Sequence, residues 1–181
     1  MRYLSRLILR IWGWKVTGGI PTEIKKCVVI VAPHTSMWDF VIGRLAWYVI
    51  GLKVKFLIKK EVFFFPIGPI LKGLGGIPVD RAQSRNMVDF VVSLFHQYDS
   101  LYITITPEGT RHLNTRWKKG FYYIAMKADV PVALAILDYK KKIGGVEKIF
   151  TPSGDFKKDF EMVENFYRGR VAKYPEKYNL S

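Results

Sequence analysis

A few polar side chains of this chain have the types and the spacing that acid–base chemistry requires. His34 and Asp39 are five positions apart in the segment Pro33-His34-Thr35-Ser36-Met37-Trp38-Asp39. A neutral imidazole accepts a proton at physiological pH, and a carboxylate on its other nitrogen fixes the tautomer and stabilises the imidazolium. The pair therefore indicates a general base, oriented by an acid, that could activate a hydroxyl nucleophile.

The spacing of this pair constrains its local structure. Positions five apart in the middle of a helix diverge by about 140° around the axis, so the two side chains cannot meet there. They can meet if His34 lies in a loop and Asp39 in the first helical turn, with Ser36 as the N-cap of a capping box. In the alternative interpretation, Asp39 only satisfies backbone N–H groups and His34 is an ordinary loop residue.

Arginines stand in two further segments, Gly75-Gly76-Ile77-Pro78-Val79-Asp80-Arg81 and Pro107-Glu108-Gly109-Thr110-Arg111. Guanidinium groups bind phosphate oxygens bidentately, so both segments are candidates for holding an anionic ligand. Gly109 lets the backbone approach closely, and Thr110 can add a hydroxyl hydrogen bond. Taken separately, each segment could equally be a surface ion pair or a turn.

The elements that would position these residues follow from hydrophobic periodicity. Strands are predicted over 27–32, 54–58, 77–79, 101–106, 132–137 and 145–150, and helices over 37–50, 84–95, 120–127 and 155–172. The alternation predicts an α/β fold: a single domain with a largely parallel mixed sheet flanked by helices. His34, Arg81 and Glu108 each follow a predicted strand. If those strands are neighbours, their carboxyl ends form one crevice, where open α/β sheets place ligands.

Residues 1–18 are predicted to form an amphipathic membrane-surface helix that precedes a domain over 19–181. Arg2, Arg6 and Arg10 form one stripe, and a second stripe, of Leu4, Leu7, Ile8 and Ile11, lies opposite. This arrangement suits a helix lying in a membrane interface. The alternative is a helix that packs its apolar face on the domain. The sequence has no run of about 18 uncharged apolar residues, so we expect no transmembrane helix.

The chain has 29 Lys and Arg residues against 15 Asp and Glu residues, a net charge of +14. Such a surface favours anionic partners: nucleic acid, acidic lipid headgroups or an acidic carrier protein. No nucleic-acid-binding motif appears, so we expect no nucleic-acid partner. The three histidines lack the spacing of metal ligands, and we expect no metal site. Neither the G-x-S-x-G motif nor a nucleotide-binding glycine motif is present.

In this order, the three segments resemble the glycerolipid acyltransferases that carry the H-x4-D motif, the lysophosphatidic acid acyltransferases and their relatives. The resemblance covers residues 28–137, and Val130-Pro131-Val132 resembles the start of the family's apolar fourth motif. It implies an O-acyltransferase of phospholipid biosynthesis. An acyl group would pass from coenzyme A or acyl-carrier protein to the hydroxyl of a lysolipid such as 1-acyl-glycerol-3-phosphate, without a cofactor.

The resemblance also implies roles for individual residues and a location. His34 would be the general base and Asp39 the residue that orients it. The residues expected to bind substrate are Arg81, Glu108, Gly109, Thr110, Arg111 and, as a weaker candidate, Lys119. The enzyme would be peripheral, on an anionic membrane surface at the cytoplasmic face of the cell membrane.

Departures from the family pattern leave the acceptor and the acyl length open. Pro33, Thr106 and Ala135 stand where the family usually has a polar residue, an aromatic residue and a proline. One alternative is an O-acyltransferase for a non-glycerol lipid, an amino-acid lipid or a sugar lipid. The other is a non-catalytic basic module that binds lipid or nucleic acid, which would have no need for His34 and Asp39.

Overall fold

The described part of the chain, residues 1–80 and 87–180 of a computed structural model, is built on one seven-stranded sheet. The strands are β1 (Lys15–Gly18), β2 (Lys26–Ala32), β3 (Val54–Lys59), β4 (Gly76–Val79), β5 (Leu101–Ile105), β6 (Val132–Asp138) and β7 (Ile143–Phe150), in the spatial order β1-β7-β6-β2-β5-β3-β4. Strands β6, β2, β5, β3 and β4 are mutually parallel, whereas β7 runs antiparallel to β6 and parallel to β1. The predicted α/β class with a largely parallel mixed sheet is confirmed.

Helices cover both faces of this sheet. They are α1 (Arg2–Ile11), α2 (Met37–Ile50), α3 (Ile67–Gly73), α4 (Met87–Gln97), α5 (Gly120–Ala128) and α6 (Phe156–Tyr167), and short 3₁₀ turns span Lys60–Val62 and Pro175–Lys177. Successive residues of a strand point to opposite faces, so β2 contributes to two cores. Val28 and Ile30 pack with α4, α5 and α6, whereas Cys27 and Val29 pack with α1 and α2.

In the described residues, no helix combines the length and the apolar character needed to cross a bilayer. The N-terminal helix is present, but it ends at Ile11, and the chain then enters β1. Strand β1 was not predicted, because four residues carry too little periodicity. Its pairing with β7 is close: a Cβ atom added at Gly18 would overlap the carbonyl oxygen of Val146, and one added at Gly145 would overlap that of Thr17.

The lengths of two predicted helices differ from the structure, and one helix was not predicted. Helix α6 ends at Tyr167 and does not continue to residue 172, because Arg168 leaves the helical conformation with a ψ of 129° and Gly169 has a φ of +79°. Helix α3 was not expected, since it has only seven residues and contains Pro69 and two glycines. The described part of the helix predicted over 84–95 begins at Met87 and runs two residues further, to Gln97.

The topology decides which motifs meet. Strands β2 and β5 are neighbours, so the segments that follow them, with His34 and Glu108, lie side by side at the carboxyl edge of the sheet. Strand β4 is one of the two edge strands of the sheet, and β3 separates it from β5. Arg81, the arginine predicted to follow this strand, lies outside the described residues.

Candidate active site

The structure brings His34 and Asp39 together in the way the capping box requires. His34 lies in the loop after β2, Ser36 is the N-cap of α2, and Asp39 is the third residue of the helix. The distance from Nδ1 of His34 to Oδ2 of Asp39 is 3.3 Å. The same Oδ2 accepts the backbone N–H groups of Thr35 at 2.7 Å and Ser36 at 2.8 Å. Capping and contact with the histidine are therefore not alternatives here, because the cap holds the carboxylate in place.

The other oxygen of Asp39 is held by a residue that the sequence did not single out. The hydroxyl of Tyr139, just past β6, donates to Oδ1 of Asp39 at 2.6 Å. The ring of Tyr139 packs edge-to-face against Trp14, with 4.9 Å between ring centroids. Tyr139 stands directly beyond the carboxyl end of a buried strand. That position, shared with the loops of His34 and Glu108, is the signal that could have identified it.

The donors around Asp39 set its ionisation. Burial by itself would raise the pKa of this carboxyl group, but hydrogen bonds from His34, Tyr139 and the backbone of Ser36 outweigh burial, and its pKa is lowered. Burial, followed by the contact with Asp39, raises the pKa of Tyr139, so this hydroxyl remains a donor. Asp39 is thus an ionised anchor at neutral pH.

Among the described residues, the contact of the His34 side chain with Asp39 involves only Nδ1, and Nε2 has no hydrogen-bond partner. With Nδ1 directed at Asp39, the neutral tautomer carries its proton on Nδ1 and a lone pair on Nε2. The side chain is 22% exposed and lines a cavity. Geometrically, His34 can therefore accept a proton from a group bound in that cavity.

Glu108 contacts the backbone of the histidine loop. Its Oε1 accepts the N–H of His34 at 2.9 Å, and its Oε2 is buried without a hydrogen-bond partner among the described residues. Burial is the largest cause that raises the pKa of Glu108 to about 7; backbone hydrogen bonds and the charge of His34 act in the opposite direction. The carboxyl group thus joins the loop after β5 to the loop after β2. The role in substrate binding expected for Glu108 remains a prediction.

Of the remaining candidates that follow β5, only Gly109 lines the cavity. Gly109 lines it with a φ of +68°, and an added Cβ atom would lie 2.6 Å from Cε of Lys118. Thr110 is half-buried, and its hydroxyl accepts the N–H of His112 at 3.2 Å. Arg111 is exposed and is not among the cavity-lining residues. The ammonium of Lys119 lies 4.7 Å from the ring centroid of Phe156, also away from the cavity lining.

Two cations that sequence reasoning did not assign to the site line the cavity. The first is Lys118, whose stem lies against Gly109 and whose backbone N–H donates to the carbonyl of Pro107 at 2.7 Å. The second is Arg44 of α2, which donates from Nη1 to the carbonyl of Val54 at 3.0 Å. The Nε of Arg44 is buried and unpartnered among the described residues. A signal for Arg44 was its position as the only basic residue of an apolar helix.

The cavity has a volume of about 650 Å³, within the usual range for small-molecule sites. Its walls include the apolar residues Val31, Phe40, Trp47, Val54, Phe56, Leu57, Ile58, Val79, Met87, Val88, Ile105, Phe121 and Ile124. They come from both faces of the sheet, since Trp47 belongs to one core and Phe121 to the other. In residues 1–80 and 87–180, no group of three His, Cys, Asp or Glu side chains could hold a metal ion.

Comparison with known proteins identifies the family of the chain. The model of the family described as Acyltransferase matches residues 14–135, which include His34, Asp39 and the whole loop from Glu108 to Arg111. The chain belongs to this acyltransferase family. The resemblance to the glycerolipid acyltransferases is confirmed.

A human relative and a bacterial structure extend the comparison. The chain is 30% identical over 139 residues to the human 1-acyl-sn-glycerol-3-phosphate acyltransferase beta, an alignment that covers 73% of this chain and 48% of the relative. It therefore spans about half the length of that curated relative. The fold resembles the crystal structure of the 1-acyl-sn-glycerophosphate (LPA) acyltransferase PlsC from Thermotoga maritima. The TM-score is 0.60 at 16% identity, with 95% of this chain and 80% of that chain covered.

Proposed function

We propose that this chain is an O-acyltransferase that moves a fatty acyl group from an acyl thioester to the hydroxyl of a lysophospholipid such as 1-acyl-glycerol-3-phosphate. The observation that carries the proposal is the His34–Asp39 pair at an apolar cavity of about 650 Å³. Family membership and the name of the human relative support the reaction class. We place the reaction in phospholipid biosynthesis, with acyl-carrier protein or coenzyme A as the donor.

The reaction needs one proton acceptor and no covalent enzyme intermediate. As the acceptor oxygen attacks the thioester carbonyl carbon, its proton passes to Nε2 of His34. The tetrahedral intermediate then collapses, the C–S bond breaks, and the imidazolium returns the proton to the departing thiolate. Asp39, ionised because four donors surround it, stabilises the imidazolium between these two steps.

The cavity supplies the binding energy that holds the acyl chain. Asp39 and Trp47 both line it and are eight residues apart on α2, so it extends about 12 Å along the helix. Burial of a methylene group contributes about 0.8 kcal/mol, so an apolar channel of this length favours a fatty acyl group over a short polar one. We assign the anionic headgroup or the phosphates of the donor to Lys118, Arg111 and Arg81.

Helix α1 supports a peripheral location. Its narrow packing face consists of Ser5 and Leu9, which are buried against the domain. Leu4, Leu7 and Ile11 are therefore left between 55% and 73% exposed, beside the arginine stripe. An uncovered apolar stripe beside cations suits an anionic membrane interface, and we place the protein at the cytoplasmic face of the cell membrane.

The experiment that tests the reaction is turnover of acyl-coenzyme A and acyl-carrier protein in lipid micelles with lysophosphatidic acid as the acceptor. We expect His34→Ala to reduce kcat by at least about a hundredfold, because general-base catalysis contributes 10²–10⁴. His96→Ala, which alters an exposed histidine of α4, is the matched control and should match the parent.

The outcomes separate the alternatives. Equal turnover by the parent and the His34→Ala variant would remove His34 from the mechanism. The exposed position of Arg111, outside the cavity lining, favours one further acceptor class, a lipid without phosphate. Product with a phosphate-free lipid alcohol, but not with lysophosphatidic acid, would assign the enzyme to amino-acid lipids or sugar lipids.

A further inference from the structure

Besides the apolar stripe of α1, a second apolar region, itself uncharged, is exposed at the carboxyl edge of the sheet. Residues 62–70, VFFFPIGPI, begin in the 3₁₀ turn after β3 and run into α3. Phe65 is 87% exposed, Ile70 60% and Phe64 56%, and Val62 and Ile67 are exposed as well. Exposed apolar residues are ordinary when single, but a contiguous group marks an interaction surface.

The backbone of this segment is held in place. The N–H of Gly68 donates to the carbonyl of Phe64 at 2.7 Å. Gly68 is buried, and an added Cβ atom would lie 2.8 Å from the carbonyl oxygen of Phe63. The turn is therefore closely packed, and it presents Phe64 and Phe65 outward from a fixed base.

The segment lies at the same edge of the sheet as the reactive pair. It follows the carboxyl end of β3, whose Ile58 lines the cavity, and His34 follows the carboxyl end of the parallel strand β2. The C-terminal end of α1 reaches this edge too, because the rings of Trp12 and Trp38 pack at a centroid distance of 5.7 Å. Two exposed apolar regions, the C-terminal end of α1 and residues 62–70, thus lie at the edge where His34 lines the cavity.

Charge identifies the partner that this surface fits. Lys59, Lys60 and Lys72 are exposed at the borders of the segment, with Glu61 as the single acid among them. Aromatic and aliphatic side chains bordered by lysines complement the acyl boundary and the phosphate headgroups of an anionic bilayer. A bilayer matches both features at once, because its acyl boundary takes up the apolar side chains and its phosphates attract the lysines.

We propose that residues 62–70 insert into the headgroup–acyl boundary of an anionic membrane as a second contact besides α1. The inference rests on the peripheral location proposed above. With two contacts at one edge, the cavity and His34 face the bilayer, so an acceptor lipid reaches the base without leaving the membrane surface. The kinds of lipid recognised are those with anionic headgroups.

The first test is binding of the full chain to vesicles of phosphatidylcholine with phosphatidylglycerol. We expect Phe64→Ser/Phe65→Ser to weaken partition at least about tenfold, because two exposed aromatic side chains lose their burial in lipid. Tyr98→Ser/Met126→Ser is the matched control. It removes two exposed large side chains next to the amino ends of β5 and β6, at the opposite edge, and should bind like the parent.

The second test measures insertion directly and does not depend on the double variant. Phe65→Cys, labelled with an environment-sensitive fluorophore, should brighten on vesicles and be quenched by brominated lipid chains. The native thiol should stay unlabelled, because Cys27 is buried and burial raises its pKa to about 12. Met126→Cys, labelled in the same way, should remain in water.

The outcomes separate this inference from the proposed function. If the parent binds vesicles, but the Phe64→Ser/Phe65→Ser protein binds equally and the label at position 65 stays in water, the second contact is wrong, and the proposed function stands. If the parent does not bind at all, the peripheral location fails together with this inference, whereas turnover in micelles still tests the reaction. A parent that dimerises through this segment, with the double variant monomeric and still bound, would assign the surface to a second copy of the chain.

Discussion

Two buried carboxylates contact the same histidine, one at the start of α2 and one in the loop after β5, and they ionise in opposite ways. Asp39 and Glu108 are both 3% exposed. The pKa of Asp39 is lowered, whereas that of Glu108 is raised to about 7. Burial acts to raise both pKa values, so burial cannot explain why the two shifts have opposite directions.

The number of donors explains it. Asp39 faces His34 and accepts hydrogen bonds from two backbone N–H groups and from Tyr139, so both of its oxygens are occupied. Glu108 accepts the N–H of His34 on one oxygen, and the other oxygen has no hydrogen-bond partner among the described residues. The protein donors therefore replace the water that would solvate the charge of Asp39, next to the position where the imidazolium would form. Glu108 has no such set of donors, and its carboxyl group holds the backbone of His34.

The largest expected effect comes from removing the charge of Asp39. Asp39→Asn keeps an acceptor for the backbone of the cap but no longer stabilises the imidazolium or selects the tautomer. We expect kcat to fall by about 10³–10⁴, as it does when the acid of a catalytic triad is neutralised. Steady-state turnover of the acyl thioester measures this.

Asp89→Asn is the matched control, because Asp89 is also an acid in the first turn of a helix, but it is exposed and paired with Lys127 at 2.8 Å. It should keep the turnover of the parent. If Asp39→Asn also kept it, Asp39 would be a capping residue alone.

Neutralising Glu108 should act mainly on stability. Its pKa is raised from 4.5 to about 7 in the folded chain. The contribution of Glu108 to the free energy of unfolding is therefore fully present below pH 4.5 and is lost as the pH rises through 7. At about 1.4 kcal/mol for each unit of pKa difference, the loss is at most about 3.5 kcal/mol. Glu108→Gln stays neutral, so its free energy of unfolding should exceed that of the parent at pH 8 and approach it near pH 4.

Urea unfolding of both proteins between pH 4 and pH 8 measures this difference. Glu147→Gln is the control, because Glu147 pairs with Arg170 at 2.6 Å on the surface. This substitution should leave the pH dependence of the free energy of unfolding near neutral pH unchanged. Parallel curves for the parent and Glu108→Gln would mean that Glu108 has an ordinary pKa in the folded chain.

This contrast marks how far the sequence could predict the site. The meeting of His34 and Asp39 was predictable, because loop, cap and first turn are set by seven consecutive residues. The sequence also predicted that the segments after parallel strands share one edge of the sheet if the strands are neighbours, and β2 and β5 are neighbours. Both inferences depend on local pattern or on fold class.

What could not be predicted depends on the direction of single side chains. Tyr139 is 100 residues from Asp39 in the chain, and a tyrosine after a strand has no local signature. Periodicity placed an apolar stripe on α1, but it could not tell that Ser5 and Leu9, rather than Leu4 and Leu7, face the domain. Of two adjacent lysines, the sequence favoured Lys119, whereas Lys118 lines the cavity.

The smallest effect, and the finest test of the contrast, is expected from Tyr139→Phe. It removes one donor to Asp39 and leaves the ring against Trp14. The pKa of Asp39 should then move up toward its ordinary value. A lowered pKa contributes stability above the ordinary value of 3.8 and loses it as the pH falls through the folded-state pKa. The variant should therefore be less stable than the parent at pH 7, and the difference should shrink as the pH falls below 3.8. We expect kcat to fall about tenfold, since one charge-assisted hydrogen bond contributes roughly 1.5–3 kcal/mol.

Tyr102→Phe separates this role from simple loss of a buried hydroxyl. Its hydroxyl donates to the carbonyl of Ile24 at 2.7 Å, away from any titrating group in the site. This variant should lose a similar amount of stability at pH 7 and at pH 3, with turnover unchanged. If Tyr139→Phe behaved in the same way, Tyr139 would be only a packing residue. The three remaining donors to Asp39 would then be enough to keep it ionised, and the contrast with Glu108 would rest on the backbone of the cap.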